Sequence, residues 1–140
     1  MNRKIFLQSI AAASCLPISA LLEGCSSSTQ ALHVSSINKR VVLPLASIPD
    51  LKQPHGYARV YVDQYANPII LFSEDGGNVS AVLSTCSHSG CEVRKLRTRF
   101  ECPCHGSEYD LRGNVLKGPA PEPLDTFRVE TFADRLELML

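Results

Sequence analysis

The stretch from residue 85 to residue 107 reads TCSHSGCEVRKLRTRFECPCHGS. It holds four of the six cysteines and two of the four histidines in a chain of 140 residues. Thiolates and imidazoles are ligands that zinc and iron-sulfur clusters take from proteins, and four such ligands complete either kind of site. Six candidates therefore leave one pair over, and in an exported protein the natural use of a spare pair of cysteines is a disulfide.

The spacing of these residues resembles the Rieske family of iron-sulfur proteins. Residues 86–91 match the family pattern Cys-x-His-x-x-Cys, and residues 102–107 match Cys-Pro-Cys-His-Gly-Ser. Further positions that look like quinol-oxidising, cytochrome bc-type members follow the second motif at Tyr109, Asp110, Gly113, Val115 and residues 118–121. The likeness covers most of residues 41–140 and is strongest over residues 79–124.

The resemblance implies a single 2Fe-2S cluster with four protein ligands. Cys86 and Cys102 are expected to bind one iron, and His88 and His105 the other. Two ferric irons and two sulfides carry a charge of +2, which two thiolates cancel, and the imidazoles are neutral. The oxidised site therefore carries no net charge and accepts an electron readily. Histidine ligation accordingly raises the reduction potential to about −150 to +300 mV, against about −400 mV for plant-type ferredoxins.

The same resemblance implies roles for residues beside the ligands. Cys91 is expected to pair with Cys104 in a disulfide that clamps the two motif loops together. The hydroxyls of Ser107 and Tyr109 are expected to donate hydrogen bonds to a bridging sulfide and to a cysteine sulfur. Such bonds strengthen as the cluster becomes more negative, so they favour the reduced form.

Short β-favouring runs dominate the chain from Val41 onward. The predicted strands are residues 41–45, 58–62, 69–73, 79–83, 99–102, 126–131 and 135–140. The sequence therefore predicts an all-β domain over residues 41–140. By the resemblance, this is a Rieske-type fold of small antiparallel sheets with two cluster-binding loops at one end.

Residues 1–25 have the layout of an export signal. Arg3 and Lys4 precede an apolar stretch over residues 5–22. The opening resembles a twin-arginine signal in which lysine replaces the second arginine. Export of a folded protein suits a metal site, because a chain threaded unfolded through a membrane would lose its metal.

Cys25 is the candidate for lipid attachment, since it follows Gly24 and precedes three serines as in a bacterial lipoprotein signal. The alternative is an uncleaved N-terminal helix, because the apolar stretch approaches the ~20 residues that span a bilayer. A released protein is the third reading. Either anchor places the domain on the extracytoplasmic, periplasmic face of a bacterial membrane. Residues 26–40 are polar and serine-rich, which predicts a flexible tether.

The charges of the chain say less about its binding partners than the motifs do. Fourteen Lys and Arg balance fourteen Asp and Glu, so nothing in the net charge favours binding to nucleic acid. A local basic run contains Arg94, Lys95, Arg97 and Arg99. It is read either as a docking patch for an acidic partner or as a solvated strand face.

The function that follows is one-electron transfer in an exported, membrane-bound respiratory complex that oxidises quinol, with a cytochrome b/c complex as partner. The chain by itself is then a carrier, and enzymatic activity belongs to the complex. Alternatives are the small electron-transfer subunit of an exported molybdenum oxidase, with the large molybdenum subunit as partner, and a structural zinc module. A component of a Rieske oxygenase is disfavoured by the extra cysteine pair and the leader.

Overall fold

The computed structural model describes residues 31–140, whose regular structure is almost entirely β-strand. The all-β prediction is confirmed. The predicted export signal with Cys25 lies outside the described residues, as do residues 26–30 of the predicted tether. Within residues 31–140, no helix is long and apolar enough to cross a membrane.

The strands are β1 Ala31–Val34, β2 Arg40–Pro44, β3 Tyr57–Val62, β4 Ile69–Ser73, β5 Val79–Leu83, β6 Arg94–Lys95, β7 Phe100–Glu101, β8 Glu108–Tyr109, β9 Val115–Lys117, β10 Thr126–Thr131 and β11 Arg135–Met139. Two short 3-10 helices, Leu45–Ser47 and Pro49–Lys52, lie between β2 and β3. All seven predicted strands are present, and their ends differ from the prediction by one residue at most.

The strands form two sheets. The larger sheet has the order β1-β3-β4-β5-β10-β11-β2, and the smaller has the order β6-β7-β8-β9. Neighbouring strands are antiparallel, except that β1 runs parallel to β3. The segment between β5 and β6 carries the first cysteine-histidine motif, and the segment between β7 and β8 carries the second.

β1 corrects the predicted tether. It pairs with β3 from Ala31↔Arg59 to Val34↔Val62, and its alternate residues Leu32 and Val34 pack against a core. Four residues in a serine-rich setting show too little periodicity to predict a strand, and the hydrogen bonds come from a partner more than twenty residues away. The folded domain therefore includes residues 31–40 and does not begin at residue 41.

The two edges of the larger sheet lie close together. β1 and β2 are its edge strands, yet only residues 35–39 join them. A link of that length spans at most about 20 Å, so the sheet must curl until its edges approach. Ile37 and Arg40 exchange both backbone hydrogen bonds at 2.9 Å across a tight turn. Asn38 at its centre has a φ of 52°, a left-handed conformation that asparagine tolerates.

β4 separates two hydrophobic cores. All of its residues are buried, and successive side chains point to opposite faces. Ile69 and Leu71 belong to the first core, which the larger sheet encloses. Ile70 and Phe72 belong to the second core, together with residues of the smaller sheet and of both motif segments. The predicted metal site is thus built on the second core.

Candidate metal centre

Two loops with the same backbone turn form the site: loop 1, residues 85–91, and loop 2, residues 102–107. In each, a cysteine carbonyl accepts the N–H of a glycine four residues later, at 2.8 Å for Gly90 to Cys86 and 3.0 Å for Gly106 to Cys102. Both glycines have a φ of 76°, which costs glycine little. The two turns therefore present their first cysteines in equivalent positions.

The four predicted ligands form a buried pair of thiols and an exposed pair of imidazoles. Cys86 and Cys102 are 1% and 0% exposed, and neither is in a disulfide. His88 and His105 are exposed, with ring centroids 4.7 Å apart and planes at 90°. The site thus has a sulfur side against the second core and an imidazole side toward solvent.

The hydroxyl of Ser89 lies near one ring nitrogen of each imidazole. Its Oγ lies 3.3 Å from His88 Nδ1 and 3.4 Å from His105 Nδ1. The two Nδ1 atoms therefore share Ser89 Oγ as a neighbour. Two imidazoles and two free thiols, one of each from each loop, are the donor set that a histidine-ligated 2Fe-2S cluster needs.

The disulfide between Cys91 and Cys104 is present, with Cα atoms 6.5 Å apart, and it joins loop 1 to loop 2. The sulfurs of Cys91, Cys102 and Cys104 lie within 4.8 Å of one another, which taken alone would look like a three-cysteine metal site. Two of those sulfurs are bonded to each other and offer no thiolate. Cys86 and Cys102 are therefore the two cysteines of the motif loops whose thiols are free for the predicted metal site.

Tyr109 directs a hydrogen bond at one of the ligand sulfurs. Its hydroxyl donates to Cys86 Sγ at 3.2 Å and accepts the backbone N–H of Ser87 at 3.3 Å. Burial raises the pKa of the Cys86 thiol, but hydrogen bonds from Tyr109 and its neighbours outweigh burial, so that the pKa is lowered. The thiolate, which is the form that binds metal, is therefore favoured.

Ser107 is oriented in a similar way. It is fully buried, and its Oγ accepts the backbone N–H of Ala120 at 3.0 Å. That contact leaves the hydroxyl hydrogen available for another partner, and Ser107 contributes to the lowered pKa of the Cys86 thiol. Of the two hydroxyls expected beside the cluster, the Tyr109 hydroxyl is in direct hydrogen-bond contact with Cys86.

A third loop, residues 118–123 with the sequence GPAPEP, is held by one serine from each motif loop. Ser87 Oγ donates to Glu122 O at 2.7 Å and accepts the Glu122 N–H at 3.2 Å. Ser107 holds Ala120 as described above. The role of Ser87 was not predicted from the sequence, because its partner lies 35 residues further along the chain.

Asn67 is a second residue that the sequence did not indicate. Its Nδ2 donates to Gly90 O at 2.8 Å and to Thr85 Oγ1 at 3.1 Å, so it connects the β3–β4 loop to both ends of loop 1. An asparagine before a proline signals only a turn. Nothing in the sequence shows that this turn supports a metal loop.

The basic run is neither a single patch nor a single solvated face. Arg94 and Arg97 are exposed, whereas Lys95 is buried. Arg99 is half-buried, and its Nε lies 3.3 Å from the Glu108 carboxylate. The run therefore contains exposed cations, one buried cation and one half-buried cation beside a carboxylate.

Comparisons with known proteins agree with this site. Residues 41–128 match the family model of the Rieske [2Fe-2S] domain. The cytochrome b6-f complex iron-sulfur subunit of Chlorobaculum tepidum is 32% identical over 93 residues, which are 65% of this chain and 50% of that protein. The plasma membrane Rieske protein of the cyanobacterium Synechocystis PCC 6803 has a TM-score of 0.56 at 28% identity, over 69% of this chain and 95% of that one. A hyperthermophilic respiratory complex III chain has a TM-score of 0.50 at 25% identity, over 68% and 71%.

The chain spans about half the length of the curated relatives that it matches. The matched residues 41–128 contain both motif loops, the disulfide and the third loop. The match thus covers more than half of the chain and all of the site described above. This protein belongs to the Rieske [2Fe-2S] domain family, and its cofactor is a 2Fe-2S cluster.

Proposed function

We propose that this protein transfers single electrons as the iron-sulfur subunit of a membrane complex that oxidises quinol. The cluster ligands in this proposal are Cys86, His88, Cys102 and His105. Support for the complex comes from the relatives, which are named as iron-sulfur subunits of cytochrome b6-f complexes, and from the likeness to a chain of respiratory complex III. The corresponding partner of this chain is a cytochrome b-containing complex.

The observation that carries the proposal is the asymmetry of the site. The two thiols are buried in the second core, while the imidazoles of His88 and His105 lie side by side at the surface. A donor or acceptor can therefore approach to van der Waals distance of a ligand ring without opening the protein. The cluster supplies the electron-accepting centre, and the chain supplies an exposed edge, buried sulfurs and oriented hydroxyl donors.

The ligand assignment is tested by replacing one ligand from each loop. His88→Ala and Cys102→Ala should each abolish the visible and EPR signals of the cluster and the binding of two irons and two acid-labile sulfides. His55→Ala is the matched control, because His55 lies outside the motif loops. A colourless wild-type protein holding one zinc would overturn the proposal.

We propose further that residues 1–25 export the chain and that Cys25 anchors it by lipid to the outer face of the membrane. The support is the sequence pattern, with a cysteine following an apolar stretch. Cys25→Ser should move the protein from the membrane to the periplasmic fraction. A variant that stays in the membrane would favour an uncleaved helix as the anchor.

The partner is identified by gentle detergent extraction and affinity purification of the full-length chain. Co-purification of a haem-containing cytochrome b subunit supports the proposed complex. A large molybdenum-containing subunit in its place would assign the chain to an exported molybdenum oxidase.

A further inference from the structure

Lys95 is a buried cation in the smaller sheet. It is 9% exposed, and its Nζ donates to the carbonyl oxygens of Leu96 at 2.7 Å and Arg97 at 3.3 Å. The ammonium also lies 5.2 Å from the ring centre of Phe72 and 6.0 Å from that of Phe100. Carbonyl oxygens and aromatic faces both stabilise a cation, so these contacts favour the protonated side chain.

This positive charge has no close counterion. Among residues 31–140, no carboxylate oxygen lies within 4.0 Å of the Lys95 ammonium. Burial lowers the pKa of Lys95, and Glu74, which attracts the charge from further away, opposes that shift. The field of Lys95 is therefore less neutralised than that of Arg99, which has carboxylates beside it.

The second core connects Lys95 to the metal centre. Lys95 is paired with Phe100 across β6 and β7, and Phe100 is fully buried in the same core as Cys86 and Cys102. Cys102 follows Phe100 by two residues, which is about 6.6 Å along a strand. That rise and the 6.0 Å between the Phe100 ring centre and the ammonium indicate a separation on the order of 12 Å between the charge and Cys102, across packed side chains.

We propose that Lys95 raises the reduction potential of the 2Fe-2S cluster, an inference that rests on the ligand site proposed above. Reduction adds one electron, supplied by the redox partner, and makes the site more negative by one unit of charge. A nine-tenths buried cation beside the second core stabilises that reduced state, whereas an exposed cation is screened by water and salt. Lys95 is thus a tuning residue that does not touch the cluster.

The size of the effect follows from the distance. A unit charge about 12 Å away in an effective dielectric of about 20 changes the reduction equilibrium constant by about tenfold. That factor corresponds to about 59 mV for one electron.

Three variants separate charge from packing. Lys95→Met keeps most of the apolar stem and removes the charge, whereas Lys95→Arg keeps the charge. Arg94→Met is the matched control, because it removes an exposed charge from the same strand. Each cluster-loaded protein is first checked by its visible and EPR spectra, and its midpoint potential is then measured by redox titration.

We expect Lys95→Met to lower the reduction equilibrium constant about tenfold, and the other two variants to change it less than about twofold. An unchanged potential in Lys95→Met with an intact spectrum overturns the inference. An equal drop in Lys95→Arg also overturns it, because the cause would then be packing.

If Lys95→Met does not load a cluster, Lys95→Gln replaces it under the same criteria. Failure of both neutral variants beside a loaded Lys95→Arg would make Lys95 a folding residue and overturn the inference. Absence of a cluster from the wild-type protein would instead overturn the proposed function.

Discussion

At the scale of single residues, Tyr109 and Ser107 are each oriented by a backbone N–H that the hydroxyl oxygen accepts. A free hydroxyl rotates and can turn its hydrogen elsewhere. Here the N–H of Ser87 and the N–H of Ala120 fix the direction in which each hydrogen is available. The backbone of neighbouring loops therefore determines how Tyr109 meets Cys86 and how the Ser107 hydroxyl is oriented.

Tyr109→Phe should lower the midpoint potential while the cluster still assembles. Removing a hydrogen bond that is about 1 kcal/mol stronger to the reduced form lowers the potential by about 40 mV for one electron. Voltammetry of the cluster-loaded protein measures the shift. Tyr65→Phe, which removes a hydroxyl beside the first core, should leave the potential unchanged. An equal potential in wild type and Tyr109→Phe would return Tyr109 to a packing role.

Gly56→Ala should destabilise the fold. A Cβ on Gly56 would lie 1.7 Å from the carbonyl oxygen of Asp50, so the backbone must shift. We expect a loss of about 1–3 kcal/mol in the free energy of unfolding, measured by guanidinium denaturation. Gly77→Ala is the control, since the nearest atoms to its Cβ would belong to the Asp75 carboxylate, the closest at an ordinary 3.5 Å, and it should change stability by less than about 0.5 kcal/mol. Equal stability of both variants would contradict the clash.

Residue roles were predictable where the interacting residues belong to the sequence motifs. Cys91 and Cys104 form the disulfide that the motif implied. Ser87 and Asn67 were not found, because each bonds a backbone group far away in the sequence, at 35 and 23 residues. Every residue carries such groups, so no side-chain pattern marks the ones that a distant serine or asparagine will meet.

At the scale of elements, the disulfide fastens loop 1 to loop 2 independently of the cluster. Its cysteines are 13 residues apart. In the chain-entropy account, closing a loop of about 15 residues stabilises a fold by about 3 kcal/mol. The crosslink thus keeps the two halves of the metal site together when the metal is absent.

The double variant Cys91→Ala/Cys104→Ala should lose about 3 kcal/mol in the free energy of unfolding of the cluster-free protein. Denaturant titration measures the loss. Wild-type protein with its disulfide reduced is the matched control and should show a similar loss. A double variant as stable as the oxidised wild type would show that packing alone holds the loops together.

The longer strands were predicted from alternation of apolar residues, and β4, β5 and β10 begin and end where expected. β6, β8 and β9 were missed because two or three residues cannot show a period. Their pairing is closed by the turns at residues 96–99 and 110–114 and by loop 2, and Phe100 and Tyr109 pack in the second core. β1 was missed for a related reason, since its partner β3 is distant in the chain.

At the scale of the whole molecule, the two cores differ in their relation to the metal site. The first core contains none of the four proposed ligands, whereas the second contains both ligand cysteines. The larger sheet can therefore stay folded while the metal end loosens. β4, which is buried on both faces, is where the two regions meet.

Removal of the iron should loosen the metal end and leave the first core folded. When iron is chelated from the oxidised protein with its disulfide intact, backbone amides of loops 1 and 2 should exchange with deuterium faster. Amides of β3 and β11 should keep their protection, because their residues pack in the first core. Hydrogen exchange followed by mass spectrometry measures both. Faster exchange throughout the chain would show that the two cores unfold as one unit.

The edge strand β2 affects how readily copies of the protein pair with one another. An unpaired edge invites another chain to add a strand, and Val42, which is 52% exposed, would assist such pairing. The strand starts at the charged Arg40 and ends at Pro44, which has no N–H to donate. A charge at one end and a proline at the other disfavour the addition of a further strand. Copies crowded together at high local concentration should therefore resist joining edge to edge into aggregates.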